Sequence, residues 1–178
     1  MTPVTLKYVL DTQLFIAAFR DAAANEALQR FHRAFAPFEY FSVVVAQELR
    51  AGVRRDGDRK ALDRNVLAVF ERAGRTFAPS AEAWHRSGDV LSEMARKEGL
   101  EISRVSKSFA NDVLLALSCR EAGCVLITDN ERDFHRIRRY VQFDFAKPWP
   151  GGSTPYCPIS RSAGLRPFRG DRDTRSRS

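Results

Sequence analysis

With 178 residues, the chain is long enough for one domain with a proper apolar core. Apolar residues make up 44%, too many for a disordered chain, and no apolar run approaches the ~20 residues that a membrane helix requires. The formal charge of +7 suggests a polyanionic partner, but six arginines against two aspartates from Arg161 onward put much of it in the tail and leave the body nearer neutral.

Residues 1–7 lack the basic, apolar and small-residue pattern of a signal peptide, so a cytoplasmic location is expected. Residues 4–10 are rich in β-formers and stop at Asp11, which predicts a buried strand running into a polar turn. Helices are predicted over 13–19 and 25–35, the second carrying Leu28, Phe31 and Phe35 at helical spacing and closed by Pro37. A second strand is expected within 38–45; Ser42 is a candidate cap for a helix through Gln47, Glu48 and Leu49. Gly57 marks a turn in the charged segment 54–60, and a helix over 59–73 stops at Gly74. A short extended piece at 76–78 precedes a helix over 81–97 that Gly99 ends.

Ser106 or Ser108 can cap the next helix, which carries Phe109, Val113, Leu114 and Leu117 and ends near Gly123. Residues 124–128 form an apolar strand, 129–133 a polar turn, Phe134 and Ile137 belong to a helical turn, and 140–145 is the last strand candidate. The Pro-, Gly-, Ser- and Arg-rich stretch 148–178 is expected to be a flexible tail after a domain at 1–147. Alternating strands and helices imply a parallel sheet covered on both faces, whose functional groups gather at the carboxyl ends of the strands.

Cys119 and Cys124 fall in apolar segments and are expected to be buried free thiols; with Cys157 they make an odd number, and His32, His85 and His135 are scattered. A structural zinc site is therefore not expected.

The informative residues are acids. Asp11 directly follows the first strand, where it is either a turn or helix cap or a ligand at the sheet edge. Glu48 is either an exposed helix glutamate paired with Arg50 or Arg54, or part of a site. Asp112 sits beside Asn111 at the edge of a core-facing helix, where it either complements the helix dipole or joins a site. Asp129 and Asp133 flank Asn130 just after a strand, as turn and cap residues or as a further part of an acidic pocket. Gathered at one sheet edge, these like charges would raise one another's pKa, and a divalent cation would relieve them. A set of oxygen donors without Cys or His favours Mg²⁺ or Mn²⁺.

The stretches 8–18 (YVLDTQLFIAA), 45–52 (VAQELRAG), 109–116 (FANDVLLA) and 123–134 (GCVLITDNERDF), in this order, resemble the PIN domain, and within it the VapC-type toxins of toxin–antitoxin pairs. The resemblance spans residues 4–147 in outline. It implies a three-layer α/β/α sandwich around a parallel sheet of four to five strands. It also implies a Mg²⁺- or Mn²⁺-dependent endoribonuclease, a cognate antitoxin partner and a homodimer. Asp11, Glu48 and Asp112 fall on the family's three main acids. The fourth place is divided among Asp129, Asn130 and Asp133; Asp133 is favoured as ligand, with Asn111, Thr128, Asn130 and Asp129 as polar supports.

No side-chain nucleophile with a base neighbour is visible, so water activated by the metal is the expected nucleophile. Arg50, Arg54, Arg55 and Lys107 are candidates to anchor the RNA backbone, with ordinary solvated surface as the competing description of each. Two other families with an aspartate after the first strand fit poorly. The haloacid-dehalogenase pattern wants a second aspartate where Gln13 stands, and the receiver pattern wants paired acids and a late lysine that are not evident. A PIN-like domain that binds RNA or protein without cleaving is the remaining alternative.

Overall fold

The structure is a computed structural model and describes residues 6–148. Five parallel strands form one sheet in the order β3-β2-β1-β4-β5. They are β1 (Lys7–Leu10), β2 (Glu39–Ser42), β3 (Thr76–Phe77), β4 (Cys124–Ile127) and β5 (Asp144–Ala146). Among the described residues, eight α-helices flank them: α1 (Thr12–Arg20), α2 (Ala22–Phe35), α3 (Val43–Gly52), α4 (Asp56–Leu62), α5 (Ala68–Arg72), α6 (Ala81–Glu98), α7 (Lys107–Ala122) and α8 (Glu131–Arg138). This is the expected α/β/α sandwich with a parallel sheet. Apart from Lys7 the central strands are apolar, because helices cover both faces: Tyr8, Val9 and Leu10 of β1 and all four residues of β4 are buried.

The chain builds β2 and β3 on one side of β1, then crosses back to build β4 and β5 on the other. β1 and β4 therefore flank the topological switch point, where loops part and leave a crevice. Their register pairs Leu10 with Ile127, so Asp11 and Thr128 leave the sheet side by side. The backbone carries the alignment one step further, since Asp11 N–H donates to the Ile127 carbonyl at 2.9 Å.

α7 has eight consecutive buried residues, Asp112 to Cys119, because it is packed between neighbours rather than laid on a surface. Ser106 caps it by accepting from Phe109 N–H, and Gly123 ends it at φ 64°, a left-handed conformation that glycine adopts without a Cβ clash. Phe15, Phe41 and Phe70 form one aromatic cluster of the core, and Phe134, Phe143 and Phe145 form another beside β5. Cys119 and Cys124 are buried free thiols, as expected, and burial pushes Cys124 up to about 11.

Several boundaries differ from the sequence expectations. The second strand ends at Ser42, whose hydroxyl accepts from Val44 N–H and turns the apolar run Val43–Val45 into helix. The second helix begins at Ala22, because the Asp21 carboxylate caps it through Ala24 N–H at 2.7 Å. Gly57 lies inside α4 rather than at a turn. The helix expected over 59–73 is two helices joined by a π-helical turn at Asp63–Leu67. The last strand is shorter and later, at Asp144–Ala146, because residues 139–141 complete the end of α8. Residues 4 and 5 of the first predicted strand, Cys157, and the tail from residue 149 lie outside the described residues. Among those described, no helix is long and apolar enough to cross a membrane.

Candidate active site at the carboxyl edge of the sheet

Asp11 is 3% exposed at the end of β1. Although it sits at the N-cap position of α1, its side chain makes no capping hydrogen bond. Its Oδ2 instead accepts from the Thr128 hydroxyl at 2.5 Å, across the switch point. Burial pushes its carboxyl up to about 6; the Thr128 hydroxyl opposes that rise, and the charges of Glu48 and Asp129 add to it.

Asp112 is 6% exposed on the second turn of α7. It lies too far along the helix for the dipole reading, which works within the first turn. Burial drives its carboxyl up to about 8, with the charges of Asp11, Glu48 and Asp133 contributing after it. These electrostatic links place the four acids in one neighbourhood, contributed by β1, α3, α7 and α8.

Glu48 is half-buried on α3. Its Oε2 accepts from Thr12 Oγ1 at 2.5 Å and its Oε1 from Asn111 Nδ2 at 3.0 Å, rather than pairing with Arg50 or Arg54. Asn111 also donates to Gln47 at 3.2 Å. Thr12 is a residue that sequence reasoning missed as part of the site. The signal was its position directly after Asp11, one turn of chain that both leaves the sheet and opens a helix.

Asn130 stands at the N-cap of α8, yet its amide does not cap the helix. Nδ2 donates to Asp112 Oδ2 at 3.3 Å and to Asp133 Oδ2 at 3.1 Å, while its backbone N–H donates to Thr128 Oγ1 at 3.0 Å. The supports Thr128 and Asn130 therefore link Asp11, Asp112 and Asp133 through one continuous set of hydrogen bonds. Asp129 is exposed and acts on Asp11 through its charge alone.

The donors at the site are carboxylate, hydroxyl and amide oxygens. As they stand, among the described residues, no three His, Cys, Asp or Glu groups are gathered into a ready ligand set for a metal.

A groove of about 660 Å³ opens at Glu48 and runs between α1 and α4, past Ile16, Phe19, Leu49 and Val66. Arg54 and Arg55 line it, and Arg20, which was not anticipated, joins them. Arg50 points elsewhere and forks onto Asp63 Oδ1 at 2.8 and 3.1 Å. Lys107 is exposed at the start of α7.

Comparison with known proteins agrees with this architecture. Ribonuclease VapC2 of Haemophilus influenzae is 27% identical over 134 residues, covering 74% of this chain and 92% of that protein. DNA-bound VapBC from Salmonella typhimurium shares the fold with a TM-score of 0.60 at 20% identity, over 80% of this chain and 98% of that one. FitAcB from Neisseria gonorrhoeae does so with a TM-score of 0.56 at 18% identity, over 80% and 98%. Residues 8–140 match the PIN domain. The chain belongs to the PIN domain family and is similar, within it, to the VapC ribonucleases.

Proposed function

We propose that the chain is a Mg²⁺- or Mn²⁺-dependent endoribonuclease that acts at Asp11, Glu48, Asp112 and Asp133. The observation that carries this reading is the pair of buried aspartates at the switch point, raised to about 6 and about 8 by burial and by neighbouring acids. Two buried carboxylates whose charges act on each other are costly in the charged state. A divalent cation offsets that cost, and the all-oxygen surroundings suit Mg²⁺ or Mn²⁺. Asp11 and Asp112 would hold the ion, with Glu48 and Asp133 in support.

When bound, the ion supplies acidification of a water and neutralisation of charge at the phosphate. The chain's own residues do the positioning. Thr128 fixes one oxygen of Asp11, and Asn130 fixes Asp112 relative to Asp133. Thr12 and Asn111 hold Glu48 by its two oxygens. Arg20, Arg54 and Arg55, set against Asp58, give the adjoining groove a net positive lining for the RNA backbone. The VapBC relatives are complexes, and on that likeness we assign this chain the toxin role in a toxin–antitoxin pair, as a cytoplasmic homodimer with an antitoxin partner.

Asp11→Asn and Asp112→Asn each remove a buried acid at nearly constant shape. RNA cleavage in Mg²⁺ should fall by a factor of about 100 or more in each, as for a group that touches the reacting centre. Wild-type rates in both variants would remove the site. The silent-domain reading has one observation in its favour: among the described residues, no three acids form a ready ligand set. Thermal stabilisation by millimolar Mg²⁺ or Mn²⁺ separates the two, since an ion that binds only the folded state raises its melting point.

A further inference from the structure

Hydrolysis by an activated water needs no help from the neighbouring sugar, so such chemistry does not by itself separate RNA from DNA. That choice falls to a group that touches the 2′-hydroxyl. The 2′-hydroxyl sits on the carbon next to the one that bears the 3′-phosphate. A reader of it therefore stands at the rim of the carboxylate site. It offers a donor and an acceptor together, since a hydroxyl both accepts and donates.

Two amides at that rim meet this description. Gln47 and Glu48 are consecutive residues of α3, and Asn111 immediately precedes Asp112 on α7. Asn111 Nδ2 commits its two hydrogens to Gln47 Oε1 at 3.2 Å and to Glu48 Oε1 at 3.0 Å. The second bond orients an acid of the site, but the first does nothing for the acids. It fixes Gln47, an exposed side chain, against the rotamer entropy that the residue would otherwise keep. Among the described residues, Gln47 Nε2 has no acceptor and Asn111 Oδ1 has no donor. Asn111 Oδ1 is unmet yet not buried, and Gln47 is exposed, so a ligand can reach both. One hydrogen bond thus carries an unused donor on one side and an unused acceptor on the other.

The pair discriminates among the parts of a nucleotide. A phosphate only accepts, and it would bring negative charge against Asn111 Oδ1. An adenine edge takes the donor and the acceptor of one amide, and Gln47 Oε1 is already engaged by Asn111. A hydroxyl accepts from Gln47 Nε2 and donates to Asn111 Oδ1, leaving neither unmet. We propose that these two atoms hold the 2′-hydroxyl of the nucleotide at the scissile phosphate and so select RNA over DNA, which rests on the ribonuclease reading for the place of that phosphate. Both groups are neutral, so the contact adds nothing to the counterion release that basic residues supply.

The test uses the full chain and RNA strands in which fluorine replaces the 2′-hydroxyl, which removes the donor and changes the size little. In chelator, where the strand stays whole, fluorescence anisotropy compares the all-ribose strand with the fully fluorinated one. In Mg²⁺, strands carrying one fluorine at a time are cleaved, and kcat and KM are read separately. Two variants accompany the wild type. Gln47→Met removes the amide, and Gln47→Glu keeps an acceptor for Asn111 while replacing the donor. The wild type should bind the ribose strand about tenfold more tightly than the fluorinated one, and both variants should lose most of that margin. One fluorine, at a fixed offset from the cut, should raise the wild-type KM about tenfold with kcat little changed, and should leave both variants unaffected. The salt dependence of binding should be the same in the wild type and Gln47→Met. Ribose-selective binding that the variants lose, without any cleavage, would keep the hydroxyl contact and defeat only the nuclease reading. Equal or absent binding of the two strands by the wild type, or a fluorine effect of the same size in all three proteins, would overturn the proposal; cleavage of RNA in Mg²⁺ would then leave the nuclease reading standing.

Discussion

The hydroxyl of Thr128 donates to Oδ2 of Asp11 at 2.5 Å, joining residues 117 positions apart where β1 and β4 leave the sheet. The contact is buried at both ends. Thr128→Val keeps the shape and removes the donor, so a buried carboxylate oxygen is left unmet. The loss at pH 7 should be about 1–3 kcal/mol, read by urea unfolding with an unchanged slope. A change within about 0.3 kcal/mol would mean that this hydrogen bond does not matter to the fold.

The raised carboxyls set the pH dependence of the metal-free protein. A group whose folded pKa lies above its unfolded one contributes stability at low pH and loses it as pH rises through the folded value. Asp11 should lose its part progressively from about pH 4 to about pH 6, and Asp112 from about pH 4 to about pH 8. Without metal the melting point should fall between pH 5 and pH 8.5. Asp112→Asn should flatten the upper part of that decline and melt higher than the wild type at pH 8. Parallel profiles for the two proteins in calorimetry with chelator present would contradict the shift at Asp112.

Asn130→Asp replaces the amide that bridges Asp112 and Asp133 with a further like charge. Without metal the variant should be less stable than the wild type at pH 8. Its gain in stability on adding millimolar Mg²⁺ should exceed the wild-type gain by about 1 kcal/mol, as an added oxygen ligand tightens the ion. Melting curves with and without Mg²⁺ give both numbers. A smaller metal-induced shift than in the wild type would argue against an ion at this position.

Arg136 ties three helices together. Its Nε donates to Glu98 Oε2 at 2.7 Å, and its guanidinium lies over the Phe109 ring at 5.2 Å. Asp133 sits one turn earlier on α8, so this tie fixes the helix that carries it. Arg136→Ala should cost about 1–2 kcal/mol, through lost packing as well as charge. Arg139→Ala, which removes a more exposed partner of the same glutamate, should cost little in a parallel unfolding experiment. Equal losses would mean that Glu98, not the stacking on Phe109, carries the effect.

The alternation of strands and helices, and with it the parallel sheet, was legible because β4 is short and wholly apolar and β1 is apolar from Tyr8 until it stops at Asp11. The placement of Asp11 followed from that alone. Elements whose type depends on a cap were harder. Phe38–Val45 reads as one β-rich run, and only the Ser42 hydroxyl decides that Val43, Val44 and Val45 are helical. The π-helical turn at Asp63–Leu67 leaves no mark in composition, since it adds one residue to a segment that remains helical by pattern. At the site, the acids were visible by position after strands and near helix starts. The role of Thr12 was not, because a hydroxyl reaching a glutamate 36 residues away is a product of packing between α1 and α3. The direction of Arg50 was likewise hidden, since Asp63 lies on the π-helical turn.

The eight buried residues of α7 divide the molecule into parts with different freedom to change. A substitution there disturbs neighbours on every side, so the aspartate it carries cannot shift without reorganising the interior. The segment from α4 to α5 buries only Leu62, Leu67 and Phe70, and it forms the outer wall of the groove that opens at Glu48. Insertions or exchanges on that outer wall leave the aspartates where they are. The α4–α5 wall can therefore vary in sequence while the buried aspartate of α7 keeps its place, because the two depend on different helices.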